Sequence, residues 1–96
     1  MAATLTGALS VTHINSNATT VVKTGFGMLH TICINSKGAT GNTATVYDNT
    51  AASGTIIAVI DTTAQVQTLL YDAQVAIGIT IVTATGTAPD ITVTYA

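Results

Sequence analysis

Runs of β-branched residues no longer than ten, each closed by a cluster of Gly, Asn, Ser or Asp, recur along this chain. That punctuation restricts it to short antiparallel strands joined by tight turns. The runs predict about eight strands, over 8–14, 19–24, 28–35, 43–48, 55–61, 65–71, 75–84 with a break near Gly78, and 90–95. Between them stand the turn signals Asn15-Ser16-Asn17, Gly25 to Gly27, Ser36 to Asn42, Asp48 to Gly54, Asp61-Thr62-Thr63, Asp72-Ala73 and Gly86 to Pro89. No segment pairs a 3.6-residue apolar period with a helix cap. The reading is an all-β fold, an antiparallel β-sandwich of jelly-roll-like form. With 96 residues there is room for one core, in a domain over 8–96 preceded by an N-terminal arm, 1–7.

Alternation assigns the faces. Ile91, Val93 and Tyr95 point one way and Thr92 and Thr94 the other, and Ala44 with Val46 opposes Thr43 with Thr45, so these strands have one wet face. The run 55–61 differs: Ile56, Ala58 and Ile60 line one side, Ile57 and Val59 the other. A strand apolar on both sides needs two covers, and in a two-sheet domain the second must be a loop or another chain.

Charge is scarce. There are two Lys, four Asp, no Arg, no Glu and no Trp, while about a fifth of the residues are Thr. Lys23 and Lys37 cannot neutralise a run of phosphates, which argues against nucleic acid. So few Lys and Glu also leave strand edges without their usual protection against pairing, as suits a chain whose outer surfaces are occupied by neighbours. A homo-oligomer is expected. No run approaches the roughly 20 apolar residues of a membrane span. The opening Met1 to Gly7 lacks the basic start and apolar run of a signal peptide, so synthesis in a cytoplasm is expected. The sequon Asn17-Ala18-Thr19 carries no weight without a secretion signal.

Each candidate chemical residue has a structural explanation. Cys33 alternates with Thr31 and Asn35, has no cation beside it, and reads as a small half-buried thiol rather than a nucleophile. His13 shares a strand side with Leu9 and Val11, and His30 with Ile32 and Ile34. Facing histidines could bind a metal with Asp48, Asp61, Asp72 or Asp90, but the spacing matches no ligand pattern, so none is expected. The aspartates close strand runs, where a short carboxylate accepts backbone N–H groups and makes a turn. Thr-x-Thr pairs at 43–45, 83–85, 85–87 and 92–94 bring ice-binding arrays to mind, but their spacing is too irregular for a solenoid. With no paired carboxylates, phosphate loop or nucleophile elbow, neither an enzyme nor a cofactor is expected.

The stretch Val46-Tyr47-Asp48-Asn49-Thr50-Ala51-Ala52-Ser53-Gly54-Thr55-Ile56-Ile57-Ala58, with Asp61, Leu70-Tyr71-Asp72, Gly78 to Thr83 and the closing Asp90-Ile91-Thr92-Val93-Thr94-Tyr95, resembles the small β-sandwich virion proteins of tailed bacteriophages. The resemblance runs from about residue 43 to the end and more faintly over 8–42. It implies a capsid decoration or cement protein on the surface of the phage head, partnered with the major capsid protein, frequently as a trimer, and without catalytic residues. The candidate contact residues are Thr4, Leu5 and Thr6 in the arm, Ile57 and Val59 on the two-faced strand, and Tyr47 and Tyr71. Other head, neck or tail components are alternatives. So is a small carbohydrate-binding module, which would need Tyr47 and Tyr71 to face solvent together on one sheet.

Overall fold

The computed structural model describes residues 9–96, so the arm with Thr4, Leu5 and Thr6 lies outside the described residues. Eight strands follow in order: β1 (Ser10–Ile14), β2 (Thr19–Thr24), β3 (Gly27–Ser36), β4 (Thr43–Asp48), β5 (Thr55–Asp61), β6 (Gln67–Val75), β7 (Gly78–Ala84) and β8 (Asp90–Tyr95). They form two antiparallel sheets, β1-β8-β3-β6 and β2-β7-β4-β5. First strand pairs with last, second with seventh, third with sixth and fourth with fifth. Residues 9–96 therefore form one long hairpin bent at 49–54 and rolled so that successive strand pairs fall in alternate sheets. This is the jelly roll expected from the sequence.

The core lies between the sheets. Ile14, Leu29, Ile32, Ile34, Val75, Ile91 and Val93 face Val22, Ala44, Val46, Ile60, Ile79 and Ile81, all buried. It holds no Phe or Trp. Interdigitated Ile and Val fill a thin layer well because their branched side chains stand off the pleat in few rotamers, and burying each contributes about 1.5–3 kcal/mol.

Irregularities in the ladders change which side chains face in. A bulge on β3 separates Leu29 from Thr31, so His30 and Thr31 both point outward before Ile32 returns to the core. His30, expected beside Ile32 and Ile34, is thus on the outer face. On β6 the residue Asp72 has φ of 48° and the strand continues through it to Val75. The turn expected at Asp72-Ala73 lies instead at Ala76-Ile77. On β5 a bulge opposite Val46 and Tyr47 draws Ile57 inward with Ala58 against the core. Ile56, expected inward, is left 52% exposed beside Val59 at 64%.

Loops gather at two ends, each tied by one polar residue. At one end Asn42, fully buried, donates from Nδ2 to Asn17 Oδ1 at 2.7 Å and to the Thr85 carbonyl at 2.8 Å. Its Oδ1 accepts from the Thr62 hydroxyl at 2.6 Å. Gly38 sits so close that a Cβ would lie 2.7 Å from Thr62 Oγ1. At the other end the Asp48 carboxylate accepts from the backbone N–H groups of Ala76, Ile77 and Gly78 at 2.9–3.3 Å. Those contacts fix the β6–β7 turn.

Candidate functional site

The two outer faces differ in chemistry. On β1-β8-β3-β6 the polar groups bond one another. His13 Nε2 meets Asp90 Oδ1 at 2.7 Å, and Asn35 Nδ2 donates to the same carboxylate and to Thr92 Oγ1, each at 2.9 Å. Cys33 donates weakly to Asn35 Oδ1 and accepts from Thr68. Thr31 pairs with Thr94 across strands, and His30 Nδ1 pairs with Asp72. The Cys33 thiol is half-buried in this hydroxyl and amide setting, as the sequence led one to expect.

Of the four aspartates only Asp61 makes the local turn expected of it, accepting the Thr63 N–H at 2.9 Å; Asp48 instead takes the backbone N–H groups of the β6–β7 turn, 28 to 30 residues away in the chain. The donated bonds hold both carboxyls below the ordinary range: for Asp48 the Ala76 and then the Ile77 amides, for Asp61 the Thr63 hydroxyl and then its amide. Asp72 and Asp90 instead face histidines on neighbouring strands. The Asn35 amide and then His13 lower the Asp90 carboxyl. These His–Asp pairs join residues 42 and 77 positions apart, and only the pairing of first strand with last and third with sixth brings them together. Among the described residues no three His, Cys, Asp or Glu side chains gather as a metal site would need.

The outer face of β2-β7-β4-β5 is plainer. Its cross-strand rows read Val21, Thr80, Tyr47, Ile56; then Thr19, Val82, Thr45, Val59; then Ala84, Thr43, Asp61. Those rows carry one charge, Asp61, at a corner. Val21, Ile56 and Val59 are 48%, 52% and 64% exposed. The β4–β5 loop covers only one end, where Thr80 donates to the Asn49 carbonyl and is fully buried. Among the described residues the edge strands of this sheet are β2 and β5, and β5 is the one apolar on its outer side.

Of the contact residues expected from sequence, Tyr47 and Val59 fall on this face in adjacent rows. Ile57 does not, because the bulge turns it inward. Tyr71 lies on β6 in the other sheet and packs against the core, where burial raises its hydroxyl pKa. Tyr47 and Tyr71 therefore do not share a sheet, and the sugar groove they were to line does not form. The second cover expected over 55–61 is not a loop of this chain among the described residues: β5 is an edge strand, apolar outside as well as in. Two features gave no sequence signal. One is the Asn42 clamp, the other an open pocket of about 470 Å³ at the end of the first sheet, lined by Phe26, Gly27, Met28, Asp72, Gln74 and Ala96.

No family model, curated protein or solved structure matches this chain.

Proposed function

We propose that this chain is a structural protein that docks on an assembled protein shell through the outer face of β2-β7-β4-β5, as a decoration or cement protein on a tailed-phage head would. One observation carries the reading: a broad sheet face with a single peripheral charge, three exposed β-branched side chains and, among the described residues, an apolar edge strand. An isolated soluble domain gains nothing from such a face and risks association through it. A docked subunit buries it. Threonines in the rows supply hydrogen bonds without the desolvation cost of ions, so attachment rests on apolar burial and hydroxyl contacts and varies little with salt. Each bound copy that touches two capsid subunits adds its binding free energy to their separation, which is how such a protein stabilises a shell. The resemblance over 43–96 points to the major capsid protein as partner, with the bound form a homo-oligomer.

Sedimentation of the purified chain with undecorated heads tests this. Co-sedimentation at both low and high salt is expected, with loss in Val59→Lys while the circular dichroism spectrum is unchanged. Absence of the chain from purified particles, or undiminished binding by Val59→Lys, would overturn it. The other reading, a sugar groove between Tyr47 and Tyr71, has lost its geometric basis.

A further inference from the structure

The pocket at the end of the first sheet is lined mostly by residues outside the docking sheet and differs from the docking rows in chemistry. Its floor is the β3 backbone at Gly27 and Met28, where Met28 stands across from Gln74 of β6. Gly27 is required there: a Cβ would lie 2.2 Å from both the Ala96 carbonyl oxygen and the Lys23 Cε, and would push the floor apart. Phe26, the only phenylalanine in the chain, forms one wall and is 68% exposed. The β2–β3 turn that carries it is anchored by the Gly25 N–H on the Ile77 carbonyl at 2.8 Å. Asp72 and Gln74, both exposed, line the pocket as well. Asp72 occupies the left-handed region at φ 48°, an unusual conformation for a residue other than glycine, and His30 bonds one carboxylate oxygen and fixes its direction.

We propose that this pocket binds a neutral saccharide ring. The walls supply what a pyranose presents. The face of Phe26 matches the ring's C–H surface, the Asp72 carboxylate accepts from hydroxyl groups, and the Gln74 amide both donates and accepts. Other ligand classes fit less well. The pocket meets charges of both signs, Asp72 in its lining and Lys23 with its Cε against Gly27, so neither an anion nor an ammonium ion is favoured over a neutral ring. The volume lies within the range small-ligand pockets occupy, but the site is open and buries one ring only in part, so single-site affinity is weak, of the order of millimolar. Many copies on one particle would multiply that affinity by avidity. The inference does not depend on the docking reading.

The test is titration of the isolated ¹⁵N-labelled chain with glucose, galactose, mannose and N-acetylglucosamine to about 50 mM, well past a millimolar dissociation constant, with choline and glycerol as controls. Saturable amide shifts confined to Phe26–Met28, Asp72–Gln74 and Ala96 are expected for at least one sugar. Phe26→Ala and Asp72→Asn should each weaken binding about tenfold or more. Both variants should fold, since Phe26 is exposed and Asn tolerates the left-handed region. Val59→Lys should bind sugar as the parent does, which separates failure here from failure of the docking reading. No saturable shift with any sugar, shifts that survive both pocket variants, or tighter response to choline than to sugars would overturn the proposal.

Discussion

Replacing Asn42 should cost more stability than any other single polar substitution in the chain. Its side chain takes part in three hydrogen bonds, at 2.6, 2.7 and 2.8 Å, to residues of the loops after β1, β5 and β7, and it is fully buried. In Asn42→Ala those bonds vanish, and the Thr62 hydroxyl keeps only the longer contact to the Asn42 carbonyl at 3.2 Å. At about 1 kcal/mol each, the loss is about 3 kcal/mol. A chain of this size has about 5–14 kcal/mol in all. With a urea slope of about 1 kcal/mol/M, the midpoint should fall by about 3 M at unchanged slope. Asn42→Asp should be worse at neutral pH, because both donor positions become acceptors facing Asn17 Oδ1 and the Thr85 carbonyl. It should recover in part in acid, where a neutral carboxyl can donate once. In a cycle with Thr62→Val, a coupling of about 1 kcal/mol is expected. A cost for Asn42→Ala below about 0.5 kcal/mol, or strict additivity with Thr62→Val, would refute the clamp.

Thr40 and Thr85 hold φ of 58° and 76°, an outlier region for β-branched residues, and both are exposed. Asn or Gly at either should therefore raise the urea midpoint by the equivalent of about 1 kcal/mol. Because the β5 bulge exchanges neighbouring side chains, Ile57→Lys should destabilise by about 2 kcal/mol or more while Ile56→Lys changes stability little; thermal melts of the two variants decide this, and equal effects would mean the bulge is misplaced. Asp48, Asp61 and Asp90 all have carboxyl pKa values depressed from 3.8 on folding, so each adds stability above that pH which drains away as pH falls through its folded-state value. Stability should therefore decline on the acid side below about pH 4, and Asp48→Asn should flatten that decline in urea titrations run from pH 6 to 2.

The fold was legible in the sequence to an unusual degree, and for a local reason. Strand and turn preferences act within a few residues, so β2, β4, β5 and β8 lie at the residues their composition marks. Period-two alternation likewise identified Ile91, Val93, Ala44 and Val46 as core. Where it went astray, at His30, Ile56 and Ile57, a single extra residue in one strand reversed the faces, and a bulge is a property of two strands in register rather than of one. The turn set at Asp72 misled for a related reason: a left-handed residue ends an isolated strand, yet pairing with β3 carried β6 through it to Val75. The polar site residues were beyond local reading altogether. Asn42 draws together loops distant in sequence, His30 meets Asp72 across a sheet, and Phe26 becomes a pocket wall only when its turn stands over β6. The sequence by itself determined that this chain is a threonine-rich stack of short strands with little charge to spend. Only the tertiary structure decided which face is bare, which edge is open and which polar groups share a pocket, because those depend on strand order, and strand order is set by packing between residues far apart along the chain.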